Sequence, residues 1–126
     1  MEKFKSILED LSNESLENKI NLASIAILTE SGNLIFQTKN WDISKNTQDI
    51  LNFFESKESI IINNMKFSVT SSDSNGITAT SEVGMGYLLF AKIGNGYIVS
   101  YALPGGNPDR GLEIIQKFSG RIKELF

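Results

Sequence analysis

Residues 84–101 read GMGYLLFAKIGNGYIVSY, two apolar runs joined by Gly94-Asn95-Gly96. The Gly-Asn-Gly step predicts the tight turn of a β-hairpin. Both runs, residues 87–91 and 97–101, are apolar at nearly every position instead of every second one. A strand with apolar side chains on both faces must be covered on both faces. The sequence therefore predicts a hairpin in the middle of a sheet, with helices packed above and below it.

Three segments have the apolar spacing of amphipathic helices: residues 2–17, residues 46–56, and a last helix that runs to the C-terminus. The last helix opens on Asn107-Pro108-Asp109, since Asn is a good N-cap, Pro fits the first helical turn and Asp suits the positive end of the helix dipole. The predicted buried positions are Phe4, Ile7, Leu8 and Leu11 in the first helix, Ile50, Leu51 and Phe54 in the second, and Ile115, Phe118, Ile122 and Leu125 in the third.

Five further segments read as strands, at residues 22–29, 34–38, 60–62, 65–70 and 77–81. Together with the central hairpin they predict the order α-β-β-α-β-β-β-β-β-α. The fold class is thus α/β of the α+β type, with a mostly antiparallel seven-stranded sheet. No repeat, linker or low-complexity segment divides the chain, so we expect residues 1–126 to form a single domain.

The composition excludes several kinds of chemistry. The 126 residues contain no Cys and no His, which removes disulfides, an imidazole base and ordinary zinc sites. Carboxylate, Lys, Tyr or Ser chemistry stays open, but no such residues cluster for it in the sequence. We predict no metal, no cofactor and no enzymatic activity. With 15 acidic against 12 basic residues the net charge is −3, which gives no general attraction to nucleic acid. The N-terminus lacks a signal-peptide core, so we expect a cytoplasmic protein.

Two glycine motifs and one tryptophan could each have a structural role or bind a ligand. Gly84-Met85-Gly86 and Gly94-Asn95-Gly96 lie between strands, whereas a phosphate loop joins a strand to a helix, so we interpret both as turns. Trp41 is the only Trp, and we predict that it lies in the core. Phe4 and Phe126 would form an apolar patch if the terminal helices lie side by side.

Five segments form an ordered series along the chain: SGNLIFQTKNW at 31–41, the helix at 47–54, NNMKFSV at 63–69, GMGYLLFAK at 84–92 and NPD at 107–109. This series resembles the profilins, the small actin-monomer-binding proteins. No single segment is specific, but their order and spacing match the family. This resemblance implies a profilin-like fold: a central antiparallel sheet of about seven strands, with the N- and C-terminal helices on one face and the middle helix on the other.

The resemblance also implies a function and a site. Profilins hold actin with the outward face of the last helix and the neighbouring exposed strands, so we expect a cytoskeletal protein that regulates filament assembly by sequestering or delivering actin monomers. Carried onto matching positions, the actin-binding residues are Lys66, Ser68, Ser71, Thr80 and Glu82 from the strands, and Asp109, Arg110, Glu113, Gln116 and Lys117 from the helix.

Three departures from the family concern other ligands. Ile35 stands where profilins carry the Trp that stacks on proline-rich peptides, Phe4 is alone where the family shows a Trp and Tyr pair, and the last helix lacks the family's His and Tyr. A polyproline ligand needs a rigid aromatic groove, which argues against that activity. Glu82-Val83 replaces a basic pair and weakens a phosphoinositide site, which stays open. Such divergence suits a member remote from the animal and plant proteins, such as an archaeal one.

Two other classes of module remain open on sequence alone. A roadblock-type or longin-like domain, which scaffolds small GTPases and is often dimeric, shares a helix-flanked antiparallel sheet but usually has five strands. We expect a monomer instead. A PAS-type sensor would need an internal cavity, and bulky residues such as Tyr87, Phe90 and Phe118 favour a filled core.

Overall fold

The computed structural model describes residues 2–38, 41–56, 58–73 and 76–124. Within these ranges it has three helices, α1 (Glu2–Glu17), α2 (Thr47–Ser56) and α3 (Pro108–Lys123). Seven strands lie between them, in the predicted order: β1 (Leu22–Thr29), β2 (Leu34–Gln37), β3 (Ser59–Ile62), β4 (Met65–Ser72), β5 (Gly76–Ser81), β6 (Tyr87–Ile93) and β7 (Gly96–Ala102).

All seven strands form one antiparallel sheet in the order β2-β1-β7-β6-β5-β4-β3. Strands that follow one another in the chain are paired, except β2 and β3, which lie at the two edges of the sheet. Strand β1 also pairs with β7, which places the β6–β7 hairpin inside the sheet. The strand count and topology confirm the predicted fold. They do not favour the five-stranded roadblock or longin alternative.

The central hairpin has a separate core on each face. Leu89 and Ala91 of β6 pack with the buried sides of α1 and α3. Leu88 and Phe90 pack against α2, where the Phe90 and Phe53 rings lie 4.6 Å apart. The terminal helices therefore cover one face and the middle helix the other. This arrangement explains why the hairpin sequence shows no alternation.

Helix α3 begins as its sequence predicts. The Asn107 side chain accepts a hydrogen bond from the Asp109 backbone N–H at 3.0 Å, and Pro108 is the first helical residue. Its buried positions include the expected Ile115, Phe118 and Ile122. Gly111, Leu112 and Ile114 are buried as well.

The predicted buried stripe of α2 was wrong at two of its three positions. Ile50 is buried, but its buried companion is Phe53, and Leu51 and Phe54 are only half-buried. Leu51 and Phe54 each lie one residue, about 100°, further round the helix. Phe54 instead covers the turn end of the central hairpin, with its ring 4.4 Å from that of Tyr97.

Strand β4 contains an irregularity that determines which side chains share a face. Val69 pairs with Ala79, but the next pair is Ser71 with Thr78, so Thr70 is an extra residue. Such a bulge shifts the alternation of side chains by one position. As a result Ser68 and Ser71, three residues apart, lie on the same face of the sheet.

Trp41 is 7% exposed and belongs to the core under α2, as predicted. Four residues used in the sequence predictions lie outside the described residues: Lys39 and Asn40 of the 31–41 segment, Leu125 of the α3 stripe, and Phe126 of the suggested aromatic patch. Across the ranges that the structure covers, each helix is too short or too polar to span a membrane.

Candidate functional site

One face of the sheet is only partly covered. Helices α1 and α3 pack over β1, β6 and β7, and we call this region the covered half. The same face of β3, β4 and the end of β5 carries side chains that are exposed or half-buried. We call this region the open half, and its residues are Ile61, Lys66, Ser68, Ser71 and Thr80.

Four of the five predicted strand residues come together at one end of the open half. Ser68 pairs with Thr80 across β4 and β5. The Ser68 hydroxyl donates to Glu82 Oε2 at 2.7 Å, and Lys66 Nζ lies 3.5 Å from the same oxygen. The hydrogen bond from Ser68 and the positive charge of Lys66 lower the pKa of Glu82 below its ordinary value. Glu82 is therefore held as a carboxylate in a fixed position on the surface.

Hydroxyl groups continue this polar surface along the two strands. Thr80 Oγ1 donates to Thr70 Oγ1 at 3.3 Å, and Thr70 Oγ1 lies 3.2 Å from Thr78 Oγ1. Ser71, the fifth predicted strand residue, joins through its backbone oxygen, which accepts from Thr78 Oγ1 at 3.5 Å. The bulge at Thr70 thus keeps a row of hydroxyls on the side of α3.

The five predicted residues of α3 divide between two flanks of the helix. Arg110 Nε donates to Asn18 Oδ1 at 3.3 Å, and Lys117 Nζ lies 2.9–3.0 Å from both carboxylate oxygens of Glu14. Both side chains therefore face α1. One turn beyond Lys117, Arg121 pairs with Asp10 at 2.9 Å, so the basic end of α3 is largely committed to α1.

The other flank of α3 faces the open half. Leu112 packs on Gly76 at the start of β5, where a Cβ on Gly76 would lie 2.8 Å from a Leu112 methyl. Asp109 and Gln116 are three residues before and four after Leu112, so they share this flank. Glu113 is exposed next to them. Asp109, Glu113 and Gln116 therefore border the open half.

Three exposed apolar side chains, on β3 and in the β5–β6 loop, were not predicted as site residues. Ile61 is 58% exposed on β3, and Val83 and Met85, in the β5–β6 loop, are 77% and 52% exposed. A signal for Ile61 exists in the sequence, because the middle residue of Ile60-Ile61-Ile62 must face away from its two buried neighbours. Val83 and Met85 lie in a loop, where no periodicity marks them.

The region where profilins carry polyproline-binding aromatics is different here. Phe4 is buried and its ring stacks on Phe36 with centroids 6.3 Å apart. Ile35 is half-buried against the same core. Little aromatic surface of Phe4 remains to stack on a peptide. Among the described residues no group of three carboxylates or other ligating side chains could hold a metal ion.

Comparisons with known proteins point to one family. The chain is 27% identical over 135 residues to Loki profilin-1 of Lokiarchaeum sp. (strain GC14_75), with 98% of both chains covered. It is 27% identical over 90 residues to Thor profilin of Thorarchaeota archaeon (strain AB_25), covering 68% of this chain and 70% of the relative. No protein-family model matches the chain.

Solved structures give the same result. The fold superposes on LokiProfilin2 in its complex with rabbit actin with a TM-score of 0.87, at 26% identity and over 100% of this chain and 99% of the other. Schizosaccharomyces pombe profilin, at 12% identity, shares the fold, with a TM-score of 0.70 over 90% of this chain and 94% of the other. The strand order, the placement of the helices and the structural superposition lead to one conclusion: the chain has a profilin-like fold and is similar over its full length to archaeal profilins.

Proposed function

We propose that this protein binds actin monomers and regulates filament assembly by sequestering or delivering them. One observation carries the proposal: over its whole length the chain superposes with TM-scores of 0.87 on LokiProfilin1 and LokiProfilin2, both solved in complex with rabbit actin. This chain has diverged in sequence but keeps the complete fold of two proteins that were solved bound to actin. That retention of the fold supports the same kind of partner.

The open half and the adjoining flank of α3 are the surface that we propose for actin. Eight of the ten predicted residues belong to this surface, and the other two, Arg110 and Lys117, lie on the opposite flank of α3. Lys66, Ser68 and Glu82 form a preorganised polar centre. Arg110 and Lys117 contact α1, so we place them at the rim, where charges contribute less to affinity. A specific complex of standard size would bury roughly 800 Å² of this surface.

The mechanism we propose involves no bond chemistry. An actin monomer held by this surface is removed from the free pool by mass action, and the bound protein covers part of the monomer that filament contacts would need. A sequence without His and Cys offers no imidazole base or thiol nucleophile for catalysis. We place this activity in the cytoplasm. That residues 1–126 form a single domain stays a prediction. That the protein is a monomer is also a prediction, which size-exclusion chromatography tests.

An actin polymerisation assay tests the proposal directly. We expect a molar excess of the protein to lengthen the lag and lower the plateau of fluorescent actin assembly, with actins from close and distant sources. Unchanged curves with every actin would contradict the proposal. Proline-rich peptides should leave Trp41 fluorescence unchanged, and a saturable shift would contradict the prediction about polyproline.

A charge reversal at the polar centre tests the location of the surface. Glu82→Lys places a second positive charge beside Lys66, and we expect it to weaken actin binding at least tenfold with little change in the unfolding midpoint. Glu9→Lys, the same change on the exposed side of α1, is the matched control and should bind as the unmodified protein does. Equal binding by both variants would place the interface elsewhere.

A further inference from the structure

The β5–β6 loop presents two apolar side chains to solvent. Val83 is 77% and Met85 52% exposed, in the short segment Glu82-Val83-Gly84-Met85-Gly86. Single exposed apolar residues are common on protein surfaces, but grouped ones mark interaction sites. The grouping here is the point of interest, because the two residues are separated only by a glycine.

Hydrogen bonds hold this loop in one conformation. Ser81 N–H donates to the Gly86 carbonyl at 2.9 Å, Val83 N–H donates to Ser81 Oγ at 3.3 Å, and Gly84 N–H donates to the Ser81 carbonyl at 3.3 Å. From β7, the Tyr101 hydroxyl donates to the Met85 carbonyl. The main chain on both sides of Met85 is thereby tied to the sheet.

Gly86 fixes the same loop sterically. Its φ is +114°, and a Cβ at this position would lie 2.2 Å from the Ala102 carbonyl oxygen. Only glycine fits this close approach. A loop that is ordered before binding loses little conformational freedom in a complex, so the apolar pair is preorganised for contact.

The apolar pair follows the polar centre of the open half along the chain. Val83 directly follows Glu82, whose carboxylate contacts Ser68 and Lys66. Lys66 pairs across the strands with Ile61, which is 58% exposed on the same face. Five large apolar side chains are exposed among the described residues. Of these, Ile61 lies opposite Lys66, Val83 follows Glu82 in the chain, and Met85 lies two residues further along the same loop.

We infer that Val83 and Met85, assisted by Ile61, are the apolar anchors through which this protein binds the actin monomer. The inference rests on the proposed function and deepens it. Protein interfaces draw most of their affinity from a few desolvated anchors beside polar contacts. The matching surface on actin is then an apolar recess next to groups that complement Lys66 and Glu82. The flexible thioether side chain of Met85 can fill recesses of differing shape.

A pair of variants tests the anchors against a matched control. Val83→Ser with Met85→Ser removes the apolar surface but keeps both glycines and the backbone hydrogen bonds. We expect it to weaken binding to purified actin monomers at least tenfold, and Ile61→Thr to weaken it about threefold. Leu16→Ser, at a side chain 55% exposed on α1, is the control and should stay within twofold. Urea unfolding of each variant verifies that it folds.

The outcomes separate this inference from the proposed function. If the unmodified protein binds no actin, the proposed function is wrong and the anchors fall with it. If the unmodified protein binds and the Val83→Ser, Met85→Ser variant binds within twofold of it, only the anchors are wrong. The apolar pair could also join two copies of the chain. A dimer that the double variant converts to a monomer, without loss of actin affinity, would likewise overturn the inference.

Discussion

The covered and open halves of the sheet share one backbone ladder and one face, yet they have opposite chemistry. In β6, Leu89 and Ala91 lie under the terminal helices and are fully buried. In β4, Lys66 and Ser71 on the same face are exposed. The apolar area buried in the covered half stabilises the fold, at roughly 25 cal/mol per Å² removed from water. The exposed side chains of the open half contribute little to stability. Their chemistry can therefore be selected for binding.

The boundary between the two halves lies at β5. Thr78 is buried next to α3, whereas Thr80, two residues further on the same face, is half-exposed. Thr78 keeps its hydroxyl paired with Thr70 and with the Ser71 carbonyl, which avoids the cost of an unpaired buried polar group. Leu112 of α3 packs on Gly76 at the start of β5. The edge of the area that α3 covers is therefore the boundary between the core and the proposed binding surface.

The largest difference between the halves should appear in stability. Leu89→Ala removes a fully buried side chain from the covered half, and we expect it to lower the free energy of unfolding by about 2–5 kcal/mol. Thr80→Ala in the open half should change it by less than about 0.5 kcal/mol. Urea unfolding measures both. Similar losses for the two variants would show that the open half carries part of the core.

Gly86→Ala tests the loop that joins the two halves. The added Cβ would meet the Ala102 carbonyl oxygen at 2.2 Å, so the loop must move. We expect a loss of about 1–3 kcal/mol in unfolding free energy together with weaker actin binding, although Val83 and Met85 are unchanged. Gly84→Ala is the matched control, because a Cβ there meets nothing within 4 Å and only the backbone preference of glycine is lost. Equal effects of the two variants would show that the contact with Ala102 is unimportant.

A smaller effect is expected on the α1-facing flank of α3. Lys117→Ala breaks an exposed ion pair with Glu14, which costs about 0.2–1 kcal/mol in unfolding free energy and less at high salt. A double-mutant cycle with Glu14→Ala isolates this pair. Because we place Lys117 at the rim, actin affinity should change by about twofold at most. A tenfold loss would move the centre of the interface toward α1.

The smallest predicted effect is a titration. Because the pKa of Glu82 is lowered in the folded protein, its contact with Ser68 and Lys66 is fully present above the ordinary glutamate pKa and is lost as the pH falls through the lowered value. An NMR titration of the carboxyl carbon should show this lowered midpoint. Ser68→Ala removes the largest cause and should raise the midpoint toward that of an exposed glutamate. An unchanged midpoint would contradict the hydrogen bond.

The sequence predicted the fold well because its signals are local. The hairpin runs and the cap at Asn107 each follow from short-range spacing, and the structure has both. The burial of Leu51 and Phe54 was predicted wrongly because both lie beside the buried stripe of α2. Which of two adjacent helix positions is buried depends on how the helix is oriented on the sheet. Periodicity cannot resolve that orientation.

The candidate site was less predictable, since it depends on packing between distant elements. Which flank of α3 meets α1 is set by contacts such as Lys117 with Glu14, about 100 residues apart in the chain. Val83 and Met85 have no strand or helix spacing that would show their exposure. The exposed Ile61 was within reach, because its two neighbours in β3 are apolar and a strand cannot bury three consecutive side chains on one side.

The extra residue at Thr70 has a consequence for how such a chain can change length. If β4 gained or lost one residue before Thr70, the side chains of that part of the strand would point to the opposite faces of the sheet. Hydroxyl groups would then face α2, and aliphatic groups would face water. Single-residue insertions and deletions in β4 are therefore changes of surface chemistry, not of size. In relatives of this protein, insertions and deletions should accumulate after Ser72, between β4 and β5, where they leave the pattern of side chains in β4 unchanged.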